Sequence, residues 1–275
     1  VPEIYLEDLD RNAYLQEDLG EMTLFDYIFQ VRENGNFPDM LKGVYKTVLT
    51  ELQKFQITGG KDLDYSFCYP RSSFDHQSMQ WDLSYFKYYF LKLADIPFNE
   101  QYLENDYQTL IHYLLEQQTD FFLYRDFQSR NVMLRQGKPY FIDYQGGRRG
   151  ALQYDVASLL FDSKADIPPE VREELLQHYV EQLERYPEVN PSSFRESYYS
   201  YVLIRIMQAM GAFGFRGFYE KKTHFLQSIP YALNDLRWIM EHVEFPIQIP
   251  ALLKVYERLL GAPRMKRFRD KAGRK

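Results

Sequence analysis

The chain has 275 residues, a formal net charge of −6 at pH 7 and an aromatic content of 17%. The negative charge argues against nonspecific nucleic-acid binding by the body of the protein. No apolar run approaches the roughly 18 residues of a membrane span, and the single Cys68 cannot form an internal disulfide, which fits a reducing, cytoplasmic location. The many aromatic residues are expected to pack the core.

The N-terminal half of the chain predicts one hairpin followed by helices. Residues 1–16 have the pattern of a β-hairpin whose second strand runs into a linker. Asp39 can cap a helix whose apolar residues recur every three or four positions. A second helix follows Ser72 to Asp75 and ends before Pro97, and a third contains Leu103 to Leu115.

The next segment predicts a second hairpin, which begins just after a polar loop. Its β-prone runs are Val132-Met133-Leu134 and Tyr140-Phe141-Ile142, separated by a turn at residues 136–139. Because the open ends of two antiparallel strands are adjacent, Asn131 and Asp143 should meet.

The side chains at this meeting point suit phosphoryl-transfer chemistry. An amide oxygen and a carboxylate are hard ligands of the kind that Mg²⁺ takes from a protein, and nucleotide phosphates and water supply the others. Asp126 lies five residues before Asn131 in the same loop. Its carboxylate can accept a proton from an attacking hydroxyl.

Helices dominate the remainder of the chain, so the predicted fold class is α+β and mainly α. Prolines and glycines separate the helical patterns. Five helices are predicted, near Leu152 to Phe161, Pro169 to Leu183, Ser193 to Phe213, Lys222 to Val243 and Pro250 to Leu260.

The order Arg-Asp-x-x-x-x-Asn, hairpin, Ile-Asp resembles the catalytic segment of kinases. The chain is similar to the aminoglycoside phosphotransferase and choline kinase group of the protein-kinase-like fold. Within that group, its motifs are most similar to those of the cell-wall-recycling sugar kinases, which phosphorylate N-acetylmuramate and N-acetylglucosamine at the anomeric hydroxyl. The resemblance also covers Ile142 to Gln145, Tyr154 to Leu160, Trp81 to Leu93 and Arg205 to Tyr219.

The resemblance implies a kinase large lobe, a hinge and a remnant of the small-lobe sheet. It implies ATP as phosphoryl donor, Mg²⁺ at Asn131 and Asp143, and Asp126 as the catalytic residue. Asp155 matches a residue that accepts hydrogen bonds from the catalytic loop. The hinge, which offers backbone groups to adenine, is assigned to Gln16, Glu17, Asp18 and Leu19.

Two features depart from the family pattern. Tyr124 replaces the usual His two residues before the catalytic Asp, although Tyr can still pack and hydrogen-bond under the loop. A Gly-rich phosphate loop and a Lys–Glu pair are not visible. We therefore expect the chain to hold the end of the small lobe and the hinge (1–20), the large lobe (21–262) and a basic tail or linker (263–275), without the phosphate-covering part.

Several charged residues have two interpretations. Arg125 and Arg130 flank the reacting groups and either form salt bridges that fix the loop or contact substrate or phosphate. An exposed turn is expected for Arg148 and Arg149, and solvated helix faces for Asp82 and Glu104, although these groups could also contact phosphate or a sugar hydroxyl. The five histidines lack zinc-ligand spacing.

The resemblance leaves several candidates for the acceptor substrate. An amino sugar is favoured, and aminoglycosides, choline and homoserine are other candidates for a kinase. The segment 264–275 carries seven basic residues in twelve, which fits a solvated linker to a fused C-terminal domain. Because some similar kinases are fused to a domain resembling an RNase adapter, a non-catalytic sugar-sensing regulatory module is the alternative from another class.

Overall fold

The computed structural model describes residues 1–32, 36–265 and 268, and its first element is the predicted hairpin. Strand β1 (Ile4–Asp8) pairs antiparallel with β2 (Ala13–Gln16). Its apolar side chains are exposed on both faces, Leu6 at 65% and Tyr14 at 66%. Of the four residues assigned to the hinge, Gln16 belongs to a strand, because it is the last residue of β2.

Two helices follow the β1–β2 strand pair. Helix α1 (Leu24–Val31) begins at a capping box formed by Thr23 and Asp26, and its two turns were too short for the sequence pattern to identify. Helix α2 (Asp39–Gln53) continues into a π-helical turn over Lys54–Gly59. The predicted cap at Asp39 is wrong, because Pro38 occupies the cap position and Asp39 lies in the first turn.

Two further helices lie between α2 and the segment 121–150. Helix α3 (His76–Tyr85) is capped by Asp75 and continues into a π-helical turn over Phe86–Leu91. Helix α4 (Glu100–Leu115) begins at Asn99, whose side chain accepts from the N–H of Tyr102. Both helices lie where the apolar spacing predicted them.

The segment 121–150 contains four short strands. Strand β3 (Phe121–Leu123) precedes the loop, and β4 (Val132–Arg135) and β5 (Lys138–Phe141) form the predicted hairpin. Strand β6 (Arg148–Gly150) pairs with β3, so the predicted turn at Arg148 and Arg149 is wrong. Arg148 is buried, whereas Arg149 is exposed as expected. A strand of three residues has too little pattern to be recognised in a Gly-rich stretch.

The remaining helices pack around α7. The single helix predicted over Lys222 to Val243 is two helices, because Pro230 lies in the first turn of the second. The bounds are α5 (Leu152–Leu160), α6 (Pro169–Leu183), α7 (Pro191–Phe213), α8 (Thr223–Leu226), α9 (Ile229–His242) and α10 (Pro250–Gly261). Most of the predicted basic tail lies outside the described residues.

Helices α3 and α7, with the π-helical turns that follow them, are in close contact. A Cβ atom at Gly211 would lie 2.7 Å from Cδ1 of Tyr85, and one at Gly214 would lie 1.9 Å from the carbonyl oxygen of Tyr89. The two helices therefore approach at positions where a side chain is sterically excluded.

The architecture confirms the α+β, mainly α class. In the described ranges three two-stranded sheets accompany the helices, and the largest enclosed side chains are aromatic, as the composition predicted. Across these same ranges, every helix is too short or too polar to cross a bilayer.

Candidate active site

The hairpin brings Asn131 and Asp143 together. Nδ2 of Asn131 lies 3.3 Å from Oδ2 of Asp143, and the N–H of Ile142 donates to the carbonyl oxygen of Asn131 at 3.1 Å. Asp143 is exposed and has a φ of 70°, in the left-handed region that L-residues rarely adopt. Such conformations concentrate at functional sites.

The donor set at this pair fits a magnesium ion. It offers an amide and a carboxylate, both hard oxygen ligands, once the Asn131 amide turns its oxygen toward the ion. In the part of the chain that the structure describes, no three His, Cys, Asp or Glu residues cluster to form a complete metal cage. An ion here would take its other ligands from phosphate oxygens and water.

Asp126, in the preceding loop, contacts this pair through its backbone. Its carbonyl oxygen accepts from the N–H of Gln128 at 2.9 Å and from Nδ2 of Asn131 at 2.9 Å. Its half-buried carboxylate makes no hydrogen bond or ion pair to the described residues. The backbone is therefore fixed while the carboxylate remains free to accept a proton.

Asp155, on α5, binds the start of the loop. It is fully buried and accepts from the N–H of Tyr124 at 2.7 Å, the N–H of Arg125 at 2.9 Å and Nε2 of Gln56 at 3.1 Å. Burial raises its pKa to about 7, against these three donors, which lower it. Loss of this carboxyl would leave two backbone N–H groups buried without an acceptor.

Asp162, just beyond the other end of α5, binds the second half of the loop. It accepts from the N–H of Ser129 at 3.2 Å and, in a short hydrogen bond, from the Ser129 hydroxyl. This contact was not predicted. The available signal was spacing, since Asp162 follows Asp155 by two helical turns.

The Arg125 side chain forms a third attachment. Its Nη1 and Nη2 donate to Asp82 on α3 at 2.8 and 2.7 Å, and Nη1 also donates to the hydroxyl of Tyr154 at 3.0 Å. Of the two interpretations, the salt bridge that fixes the loop is the one observed. Asp82 is 6% exposed, so its predicted place on a solvated face is wrong.

Two more charged residues differ from expectation. Glu104 forms an ion pair with the buried Lys87, which also pairs with Glu100 at 2.6 Å, so it is not a free solvated carboxylate. Arg130 is exposed, and its guanidinium lies 3.7 Å from the ring centre of Phe25 on α1. It makes no ion pair within the described ranges, so the salt bridge considered for it is not observed.

Tyr124 packs under the loop as predicted. It is 1% exposed, and its hydroxyl donates to the carbonyl oxygen of Ile142 at 2.7 Å. The bond links the residue before Arg125-Asp126 to the residue before Asp143. The replacement of His by Tyr therefore preserves a bridge between the two parts of the site.

The residues assigned to the hinge lie beside the hairpin. Glu17 forms an ion pair with Arg135 at the end of β4, and its Oε2 accepts from the N–H of Glu3 at 3.3 Å. Asp18 accepts from the N–H of Gly20 at 2.8 Å, and Leu19 is buried. Their contact with adenine remains a prediction.

Residues 3–190, which are more than half of the chain, match the phosphotransferase enzyme family. The chain belongs to this family. Membership makes it a small-molecule phosphotransferase, in agreement with the resemblance drawn from its catalytic loop.

Two relatives carry the same name. The chain is 26% identical over 245 residues to the N-acetylmuramate/N-acetylglucosamine kinase of Neisseria meningitidis serogroup B, covering 86% of this chain and 70% of that protein. It is 25% identical over 172 residues to the kinase of that name from Pseudomonas aeruginosa, covering 61% of this chain and 46% of the relative.

Solved kinase structures share the fold. The phosphotransferase in the gentamicin-APH(2″)-IIa complex matches with a TM-score of 0.54 and 14% identity, covering 93% of this chain and 75% of that one. The choline kinase from Cryptosporidium parvum Iowa II matches with a TM-score of 0.53 and 13% identity, covering 92% and 76%. These matches confirm the kinase-like fold of the phosphotransferase.

Proposed function

We propose that this phosphotransferase transfers the γ-phosphoryl group of ATP to a hydroxyl of a small amino sugar. The observation that carries the proposal is the free carboxylate of Asp126, which lies on an anchored loop beside the Asn131–Asp143 pair. We further propose that residues 1–20 contribute the hinge and residues 21–262 the large lobe.

Each site residue has a defined task in this proposal. Asp126 orients the acceptor hydroxyl and accepts its proton as the oxygen bonds to the γ-phosphorus and the bond to ADP breaks. Asn131 and Asp143 would hold Mg²⁺, which when bound neutralises phosphate charge. Asp155, Asp162 and Asp82 keep the loop in place through the contacts described above.

The acceptor is proposed to be N-acetylmuramate or N-acetylglucosamine. Support comes from the names of the two relatives, whose identity to this chain is modest. Such a reaction would fit the recycling of cell-wall sugars in the cytoplasm. Aminoglycosides and choline remain alternative acceptors. A non-catalytic sugar-sensing module is less favoured, because Asp126, Asn131 and Asp143 are all present.

The test follows ADP release by the full gene product with ATP and Mg²⁺. The acceptors are N-acetylmuramate, N-acetylglucosamine, gentamicin and choline, each with and without a chelator. We expect sugar-dependent ADP release that the chelator abolishes. Release with gentamicin or choline alone would reassign the acceptor, and no release with any acceptor would favour the regulatory module.

A further inference from the structure

The carboxylate of Asp143 lies between two side-chain amides. Its Oδ1 accepts from Nε2 of Gln145 at 2.5 Å, and its Oδ2 lies 3.3 Å from Nδ2 of Asn131. Across the part of the chain that the structure describes, no Lys, Arg or His lies at ion-pair distance from Asp143. The exposed carboxylate therefore has neutral partners on both sides, and its negative charge remains available to a cation.

The two amides differ in how firmly they are held. Nδ2 of Asn131 also donates to the carbonyl oxygen of Asp126 at 2.9 Å. The Gln145 side chain is exposed, and Asp143 is its one hydrogen-bond partner among the described residues. A half-turn of a Gln amide exchanges its NH₂ group for its oxygen in almost the same place. Gln145 can make that turn without breaking another described contact.

The backbone that carries Gln145 is fixed. The N–H of Gly147 donates to the carbonyl oxygen of Tyr144 at 2.9 Å, which closes a turn that contains Gln145. A Cβ atom at Gly147 would lie 2.6 Å from Cε2 of Phe122, so the turn packs directly against strand β3. The position of the Gln145 backbone is therefore determined, while the direction of its amide is not.

The Gln145 amide also has room to turn. Gln145 lines a cavity of about 560 Å³ together with Tyr124, Tyr144 and Phe122. A cavity of this size can hold several water molecules. The amide can therefore change direction without displacing packed side chains.

We propose that Gln145 is a third protein ligand of the divalent cation, bound through its amide oxygen. The inference rests on the metal site of the proposed function and makes that site more complete. Mg²⁺ takes hard oxygen ligands and keeps several waters. The amide that donates to Asp143 would turn its oxygen toward an ion held by the same carboxylate, and this oxygen would replace one of the waters.

The alternative role for Gln145 is to orient Asp143 through its N–H group. The two roles differ in what the ion contacts. A ligand occupies a coordination position that water takes when the ligand is removed, whereas a side chain that only orients Asp143 leaves the number of bound waters unchanged. The roles also differ in the atom they require, an oxygen in the first and an N–H group in the second.

The experiment uses the full gene product with Mn²⁺ and ADP. Mn²⁺ takes the same hard oxygen ligands as Mg²⁺, and its electron paramagnetic resonance signal can be followed. Titration gives the affinity for Mn²⁺, and line broadening in water enriched in oxygen-17 counts the water ligands. Gln145→Met removes both the oxygen and the N–H group. We expect it to weaken Mn²⁺ binding by about 10-fold or more and to add one water ligand.

Gln145→Glu separates the two roles, because Glu keeps an oxygen and lacks the N–H group. We expect this variant to bind Mn²⁺ at least as tightly as the wild type and to show no more water ligands than the wild type. If Gln145→Met gains no water ligand, or if Gln145→Glu weakens binding as much as Gln145→Met does, the inference is wrong.

The matched control is Gln227→Met. Gln227 is exposed, lies just after helix α8, and makes no described side-chain hydrogen bond. This variant should keep the wild-type affinity for Mn²⁺ and the wild-type number of water ligands. If it gains a water ligand as Gln145→Met does, the gain is not specific to Gln145 and the inference is overturned.

Asp143→Ala separates the inference from the proposed function. This variant should lose the binding of Mn²⁺ in the presence of ADP. Such a loss, together with an unchanged number of waters in Gln145→Met, overturns the inference and leaves the proposed function intact. Retained Mn²⁺ affinity in Asp143→Ala, or no Mn²⁺ binding by the wild type, overturns both.

Discussion

The catalytic loop and the β1–β2 strand pair are both short, but they are stabilised in opposite ways. Asp155, Asp162 and Asp82 bind the loop from three sides. The strand pair exposes apolar side chains on both faces and is joined to the hairpin by the Glu17–Arg135 ion pair. Several buried contacts therefore fix the position of the loop, where proton transfer is proposed, whereas few contacts fix the position of the strand pair.

The loop also contains strain that its anchors must offset. Arg125 has a φ of 83°, and such a conformation in a residue other than Gly costs about 1–3 kcal/mol. Asp155 binds its N–H, and Asp82 binds its guanidinium. Substitutions at the loop and at the strand pair should therefore differ in size and in kind.

The largest effect is expected at the reacting group itself. Asp126→Ala in the full gene product should lower kcat by about 10²- to 10⁴-fold, the range for a lost general base. The change in Tm should be small, because the carboxylate has no described partner. Kinetics and nucleotide titration check this. Parallel loss of ATP binding and turnover would contradict the role assigned to Asp126.

The largest effect on stability is expected at Asp82. Asp82→Ala leaves the Arg125 guanidinium buried without its carboxylate, which should cost about 3–5 kcal/mol in the free energy of unfolding. Urea denaturation measures this. Asp39→Ala is the control, since Asp39 is a carboxylate whose side chain is 96% exposed. Similar losses in the two variants would show that the Asp82–Arg125 pair contributes little.

Asp155→Asn should destabilise the protein by about 1–3 kcal/mol, because one buried N–H loses its acceptor. The effect depends on pH. Burial raises the pKa of Asp155 from 3.8 to about 7, so its contribution to stability is complete below about pH 4 and is lost as the pH rises through 7. The difference in free energy of unfolding between wild type and Asp155→Asn, measured by urea denaturation, should therefore narrow from pH 4 to 7. A widening difference would contradict the raised pKa.

The smallest effect is expected at the strand pair. Glu17→Gln removes an ion pair whose Arg135 side chain is 42% exposed, and such pairs contribute about 0–1 kcal/mol. Tm should shift little and should depend weakly on salt. A loss as large as that of Asp82→Ala would show that the strand pair is anchored as firmly as the loop.

Local patterns were sufficient for much of the fold. The hairpin from Val132 to Ile142 and most helices were predicted, because apolar period and turn residues are properties of adjacent positions. Helix α1, strand β6 and the break before α9 were missed. Each is short or lies within a longer helical pattern, so local spacing gives too little information.

The sequence by itself determined the family, the mainly α class and the meeting of Asn131 with Asp143, since these depend on residues close in the chain. Only the tertiary structure decided which charges are compensated. Asp82 and Arg125 are 43 residues apart, and Arg205 meets Ser158 across 47 residues. The burial and pairing of these side chains depend on how distant helices pack, and the spacing of neighbouring residues does not determine that packing.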